Sequence, residues 1–380
     1  IDLRKEGIRS PQGFSFEFSD EEVGSNYFWT TDLFAAYLFY KRHRKASPEV
    51  EEFFAKTLAK QKELYDLSYS IKSDVELISP EGFEYRPYQK ASIEYCLKAD
   101  NILIGHDMRL GKTCISVGVI NNEKPDKTLI ICPKTAKLVW IKELSVWLAE
   151  DKTIQVLNSK SEIDPTADIY IINYDLLHKM PDLTRMVFGL IIADEVHLIK
   201  NENARRSKFF TELQGKKKLG LSGTPLLNKP KDLLTVLKWL DPFWTDWRIY
   251  KEEFANDHGI VLSLPEVQDV IRSTVMTRLE QAQVFDMEPI ERRIVPLEVP
   301  PELAPQIEIE LRDHKKSLNL TDYVRARKLI GLNRVQPAIN HILAYTSEGE
   351  KIVVFCHHKA VVERITSSLG KSAVSIYGDT

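Results

Sequence analysis

"DMRLGKT", residues 107 to 113, follows the short apolar run "NILIG" of residues 101 to 105. An apolar run, a glycine-bearing turn and a Lys-Thr pair read as strand, loop and helix start. Such a junction aims backbone N–H groups at one point, and the helix dipole adds positive potential there, so phosphate binds. Gly111 lets the backbone come close. Lys112 can pair with the β and γ phosphates, and the Thr113 hydroxyl can ligate Mg²⁺. The general pattern has another glycine five residues before Gly111, where this chain has His106. The stretch alone therefore reads either as a nucleotide loop or as a lysine that opens a helix.

The chain has 380 residues, 43% hydrophobic and 28% charged, with a formal net charge of -3. That composition suits two or three folded domains and excludes a disordered chain. The charge balance gives no hint of a nucleic-acid partner, so any basic binding surface must come from local clusters. The four cysteines, Cys96, Cys114, Cys132 and Cys356, form no Cys-x-x-Cys pair. This argues against disulfides and zinc and suits a reducing compartment. No apolar run approaches the ~20 residues that span a bilayer, and no signal-peptide pattern opens the chain.

Residues 1–77 read as a small helical accessory segment. "TTDLFAAYLFYKRHRK" has Thr31 or Asp32 to cap it and Phe34 and Leu38 on one face. "SPEVEEFFAKTLAKQKELYDL" has Ser47 as cap and Pro48 in the first turn. From about residue 100, strand-length apolar runs appear at 102–104, 128–132, 169–172, 190–193 and 219–221, mostly separated by helix-length stretches. The alternation predicts a parallel sheet covered on both faces. Each run ends in small or polar residues: "DMRLGKT", "PKT", "NYD", "DEVH", "SGT". Ligands of open α/β sheets bind at the carboxyl ends of strands. Residues 78–275 are expected to form this lobe, with a helical insertion at about 229–275 whose Trp239, Phe243, Trp244 and Trp247 read as core. Residues 276–380 read as a proline-rich linker, then two strands in "KIVVFCHHK" and "AVSIYGDT" with the helix "AVVERITSSLG" between them.

In "IIADEVH", Asp194 and Glu195 follow a buried run. One carboxylate can hold Mg²⁺ and its neighbour can orient and deprotonate an attacking water. Behind a phosphate loop on the same sheet, the pair points to ATP hydrolysis. "LSGTP" places Ser222, Gly223 and Thr224 at another strand end, where hydroxyls can bond to the carboxylate cluster.

Taken in order, these motifs resemble those of a superfamily 2 ATPase of the Swi/Snf group, nearest its HARP-like annealing-helicase branch. "YRPYQ" resembles the adenine-recognition motif, "DMRLGKT" motif I, "LIICPKTAKLVWIKEL" motif Ia, "DEVHLIKN" motif II and "LSGTPLLNKPKDLLTVLKWLDP" motif III with its extension. "VMTRLEQAQVFDMEPIERRIVPLEV" is similar to the segment joining the two lobes, and "VVFCHHKAVVERI" to motif IV. The resemblance covers about residues 80 to 380. It implies two RecA-like lobes, the second incomplete because motifs V and VI, with their arginine fingers, are not reached. Fingers of that kind contribute on the order of 10³-fold or more in rate, so weak turnover is expected of residues 1–380 alone. The family has an acidic residue in place of His106 and a glycine in place of Arg109.

The resemblance also implies roles. Arg86, Tyr88 and Gln89 would read adenine, while Arg109, Leu110, Gly111, Lys112, Thr113 and Cys114 would form the nucleotide loop. Thr113 and Asp194 would hold Mg²⁺, Glu195 would activate water, and His197, Ser222, Gly223 and Thr224 would couple ATP state to DNA grip. Lys134, Thr135, Asn173, Tyr174, Lys200, Asn201, His357, His358 and Lys359 would face the DNA backbone. The implied protein is a monomeric ATP- and Mg²⁺-dependent translocase on duplex or branched DNA, independent of base sequence, in the cytosol or wherever the DNA lies. Its work would be reannealing strands, moving junctions or displacing bound protein. A strand-separating DNA or RNA helicase and a catalytically weak nucleic-acid scaffold are the alternatives.

Overall fold

The computed structural model describes residues 14–20, 24–30, 48–199, 205–224, 230–241, 264–286, 294, 305, 320–347 and 349–376. The chain divides into two compact units, Ile1–Glu288 and Pro289–Thr380. The boundary therefore falls beyond the expected 275, because the chain around Met276 belongs to the first unit's sheet.

That sheet has seven strands: β3 (Asn101–Ile104), β4 (Thr128–Cys132), β5 (Ile154–Val156), β6 (Ile169–Asn173), β7 (Val187–Asp194), β8 (Gln214–Leu221) and β9 (Met276–Thr277). They lie in the order β5-β6-β4-β7-β8-β3-β9, and every pairing is parallel. The five expected runs are β3, β4, β6, β7 and β8. The short β5 and β9 at the edges carry too few residues to show a pattern.

Near-continuous apolar strands belong in a sheet buried on both faces, and alternation along β3 divides them. Ile102 and Ile104 enter one core with Ile130, Cys132, Ile171, Ile192, Leu219 and Leu221. This core is closed by α2 (Pro87–Lys98), α3 (Lys112–Glu123) and α4 (Lys137–Trp147), through Ile93, Ile115, Val119, Trp140 and Leu144. Leu103 enters the other with Leu129, Ile131, Ile172 and Ile191, beneath α5 (Arg205–Glu212) and α6 (Pro230–Leu240). Leu233, Leu237, Trp239 and Leu240 of α6 are fully packed into that core. This helix is thus an integral cover of the sheet, not an insertion. Trp239 is core as expected, whereas Phe243, Trp244 and Trp247 lie outside the described residues.

The N-terminal reading needs correction. β1 (Phe14–Asp20) and β2 (Gly24–Thr30) pair as an antiparallel hairpin, from Phe14 against Thr30 to Asp20 against Gly24. The sequence "FSFEF" alternates with the period of a strand, a signal that the helical reading passed over. The expected helix at 31–45 and the Ser47 cap lie outside the described residues. The second expected helix is α1 (Pro48–Ser68). It braces the lobe: Tyr65 donates to Asp269 at 3.1 Å, and the Ser68 carbonyl accepts from Arg272 Nη1 at 3.0 Å. Asp269 and Arg272 belong to α7 (Leu264–Arg272), which leads into β9.

The second unit contains α9 (Leu320–Asn333), α10 (Val335–Thr346) and α11 (Lys359–Leu369), after the single turn α8 (Gln281–Val284) that ends the described part of the first. Val335, Ile339, Ile342, Val361 and Ile365 form its core. α11 falls where expected, but 351–356 and 373–376 are not strands. Among the described residues no neighbour takes their ladder hydrogen bonds, and Phe355 stays 93% exposed. Among the described residues no helix is long and apolar enough to cross a membrane.

Two helices pack closely at Gly118, where an added Cβ would meet Ile93 Cδ1 at 2.4 Å and the Tyr85 ring at 3.2 Å. Gly118→Val should therefore cost about 2 kcal/mol through overpacking, read as a lower urea midpoint. An unchanged midpoint would contradict this packing.

Candidate nucleotide site

The site lies along one edge of the sheet because parallel strands all end there. β3 delivers the loop, and its neighbours on both sides fix it. The backbone N–H groups of Leu103, Gly105 and Asp107 donate in turn to Val275, Thr277 and Leu279 carbonyls at 2.6, 2.8 and 3.0 Å. On the other side, Ser222 N–H donates to the Ile104 carbonyl at 3.1 Å.

His106, the residue that broke the general pattern, is fully buried. Its Nδ1 accepts from Leu279 N–H at 3.0 Å, so the proton sits on Nε2 and is donated to Ser92 Oγ at 2.7 Å. Ser92 in turn donates to the Tyr88 carbonyl at 2.8 Å. Burial, with Lys112, Arg272 and Arg278 nearby, pushes the imidazole down to about 3, so it stays neutral. His106 thus ties the loop to α2 and to the chain beyond β9. Asp107 adds a second tie. Its Oδ2 accepts from Gln281 N–H at 3.1 Å and its Oδ1 lies 3.5 Å from Arg278 Nη2. Arg278 also donates to the Gly105 carbonyl at 3.0 Å, and Gln281 Nε2 to the Met108 carbonyl at 2.6 Å.

Gly111, at φ 71°, caps α3 in the left-handed region, and a Cβ there would lie 2.6 Å from Gln89 Nε2. Arg109 takes φ 66° without being glycine, a conformation that costs an L residue about 1 kcal/mol. The resemblance puts glycine at this position, and the backbone geometry supplies the reason. Arg109 itself is exposed. Leu110 and Cys114 point into the protein, at 0% and 4% exposure, so their side chains do not line the loop's open face. Burial pushes the Cys114 thiol up to about 12.

Lys112 Nζ donates to the His106 and Asp107 carbonyls at 2.9 and 3.1 Å, within the hollow of the loop. Burial lowers its pKa, opposed by the charges of Glu195, Asp194 and Asp107. Gly223 closes against it: a Cβ there would lie 3.6 Å from the Lys112 amine. Burial raises the pKa of Asp194, and burial together with the Asp194 charge raises that of Glu195. Glu195 turns out of β7 at φ 50°, a strained conformation of the kind that collects at functional sites. His197 Nδ1 lies 3.3 Å from Glu195 Oε2 and 3.1 Å from Ser222 Oγ, and Ser222 Oγ accepts from Thr224 N–H at 3.2 Å. The imidazole therefore bridges the Glu195 carboxylate to the β8 end.

Two residues hold Asp194 in ways the sequence reading did not foresee: Trp140 was not singled out, and Tyr174 was given another role. Trp140, fully buried on α4, donates its indole N–H to Asp194 Oδ2 at 2.9 Å. Tyr174, 1% exposed, donates its hydroxyl to the Asp194 carbonyl at 2.7 Å. This corrects the expectation that Tyr174 faces DNA: its ring is buried, and Asn173 is 6% exposed. Only a buried Trp's need for a hydrogen-bond partner hinted at Trp140. Lys134 and Thr135 are exposed on the turn after β4, as a contact with solvent or polymer needs. Lys200 and Asn201 lie outside the described residues. In the second unit His357 and Lys359 are exposed, whereas His358 Nε2 is buried.

A RecA-like sheet edge carrying a lysine loop beside an Asp-Glu pair defines the P-loop class of nucleotide-using proteins. Within it, the chain belongs to the SNF2-related domain family, whose model matches residues 39–335. It is 24% identical to a Xenopus tropicalis protein named SWI/SNF-related matrix-associated actin-dependent regulator of chromatin subfamily A-like protein 1, over 84% of this chain and 36% of that protein. It is also 24% identical to the mouse DNA annealing helicase and endonuclease ZRANB3, over 75% of this chain and 30% of that protein. The chain thus spans about a third of the length of these curated relatives. Among solved structures, the Sulfolobus solfataricus SWI2/SNF2 ATPase core in complex with dsDNA superposes with a TM-score of 0.50 at 22% identity, covering 79% of this chain and 71% of that one. That likeness concerns the fold.

The raised carboxylate pKa values of Asp194 and Glu195 set the sign of a pH effect. Between the ordinary carboxylate range and those values, the folded chain binds more protons than the unfolded one, so stability falls as pH rises through that window. Glu195→Gln should raise the melting midpoint near about pH 7, with the gain shrinking toward about pH 4. Thermal melts across that range check it, and a variant less stable at neutral pH would contradict it.

Proposed function

We propose that this chain is the ATP-hydrolysing motor region of a protein that moves along double-stranded DNA. The observation that carries the reading is the convergence of Lys112, Asp194, Glu195 and the His197–Ser222 bridge on one sheet edge. Membership of the SNF2-related family and relatives named as annealing helicases support the DNA part.

The residues present fit a nucleoside triphosphate and Mg²⁺. Lys112 is held in the hollow of the loop by two backbone carbonyls, bonds that it can exchange for phosphate oxygens. Gly223 leaves room beside the Lys112 amine that a Cβ would fill. Asp194 and Thr113 would hold Mg²⁺, which when bound would neutralise charge on the phosphates. Glu195, its pKa raised, would orient the attacking water and accept its proton. His197 would carry the resulting change to Ser222 and Thr224. Trp140 and Tyr174 would keep Asp194 in place, the second tier of support that metal-binding carboxylates need. Lys134 and Thr135 would meet phosphates of the DNA backbone, which gives sequence-independent, salt-sensitive binding. Remodelling of duplex or branched DNA is the work this chemistry would drive.

The test is ATP hydrolysis by the protein carrying this chain, with no nucleic acid, single-stranded DNA, duplex DNA, forked DNA or RNA. Duplex or forked DNA should stimulate most, and Lys112→Ala should abolish turnover. Best stimulation by RNA or single strands would overturn the duplex reading. A second prediction concerns Trp140→Phe, which keeps the buried ring and removes its hydrogen bond. It should raise the Mg²⁺ concentration for half-maximal hydrolysis about tenfold, in line with losses of support around metal ligands. An unchanged Mg²⁺ dependence would show that the indole does not position Asp194.

A further inference from the structure

A third apolar cluster stands apart from the two cores. It joins Tyr88 of α2, Leu110 of the loop and Leu279 beyond β9, with Val284 and Phe285 packed against them. Phe285 follows α8, and this turn is pinned to the loop at its start, through Gln281 N–H to Asp107 Oδ2 and Gln281 Nε2 to the Met108 carbonyl. Within the turn, Phe285 N–H donates to the Gln281 carbonyl at 2.9 Å. The ring is therefore fixed relative to the loop. It meets Tyr88 edge to face at 6.0 Å and carries the Arg86 guanidinium over its face at 5.3 Å.

Arg86 is an exposed residue, yet its head group is laid on a half-buried ring. Beside it, Gln89 is also fixed. Its Oε1 accepts from Arg86 N–H at 2.9 Å, and its amide nitrogen sits over Gly111. An exposed flat cation, next to an oriented amide and behind a phosphate loop, matches the stacking face and hydrogen-bonding edge of a purine. A free arginine would lose considerable side-chain freedom on stacking. The ring removes much of that loss in advance.

We propose that Phe285 is a positioning residue for the nucleotide base: it holds the Arg86 guanidinium flat as the platform on which adenine stacks. This rests on the nucleotide reading above. It assigns a base-selective role to the chain after β9.

The test is displacement of a fluorescent ATP analogue from the protein carrying this chain, by ATP and by inorganic triphosphate, which has no base. Phe285→Leu keeps an apolar side chain and removes the aromatic face. It should weaken ATP about fivefold, the scale of a cation–π contact, and leave triphosphate unchanged. Phe285→Tyr should restore ATP to within about twofold, because the face returns. Arg86→Lys, at an exposed position where folding is not at stake, should reproduce the selective loss. Unchanged ATP affinity in Phe285→Leu, or equal weakening of ATP and triphosphate in both Phe285→Leu and Arg86→Lys, would overturn the proposal. Failure of the wild type to bind ATP, or binding that survives Lys112→Ala, would instead overturn the nucleotide reading itself.

Discussion

The parallel pairing of β3 between β8 and β9 is the constraint on which the rest of the first unit depends. A parallel strand cannot turn back on its neighbour, so each strand must leave through a crossover on one face and return to the same starting edge. All the strand ends then gather on one side. That places Lys112, after β3, beside Asp194 and Glu195, at the end of β7, and Ser222, after β8, though up to 110 residues separate them in sequence. The pairing with β9 does more than close the sheet. Its continuation through Leu279 supplies carbonyl and N–H partners to Asp107 and His106, so the loop is held as an extension of the sheet rather than as a free turn.

Much of this was legible in the sequence, for physical reasons that can be named. The five central strands announced themselves because a sheet buried on both faces needs unbroken apolar runs, and "TLIIC" and "LIIAD" are such runs. The loop was legible because only a few residue types satisfy a phosphate at a helix start. What stayed hidden depended on contacts distant in the chain. Nothing local to "GHDMR" says that His106 will accept a backbone N–H from Leu279, and nothing in "LVWIKEL" says that the Trp140 indole will find Asp194. Tyr174 was misjudged for the same reason: it stands at a strand end, where functional residues collect, but its ring turns inward and only its hydroxyl reaches the site. The hairpin of β1 and β2 was missed although its alternation was there to be read. The strand-like segments at 351–356 and 373–376 show the reverse, since apolar β-branched residues form strands only when a neighbour accepts the ladder.

The site's electrostatics are arranged around groups that are costly to leave as they stand. Two carboxylates are pushed toward protonation by burial, in one of them aided by the other's charge, and a lysine is pushed toward losing its proton. Backbone strain at Arg109 and Glu195 adds to this. A polyanion bound with a divalent cation would relieve the electrostatic part of these costs, since it would offer the lysine negative charge and the carboxylates positive charge. The preorganised part is the scaffold behind them: the neutral His106, the Arg278–Asp107 pair and the indole of Trp140.

The most direct test of this account is a crystal structure with a non-hydrolysable ATP analogue and Mg²⁺. The account predicts that Lys112 Nζ leaves the His106 and Asp107 carbonyls for the triphosphate, while the Leu279–His106 and Trp140–Asp194 hydrogen bonds remain. A nucleotide bound elsewhere, or a Lys112 still on its carbonyls with the analogue in place, would contradict it.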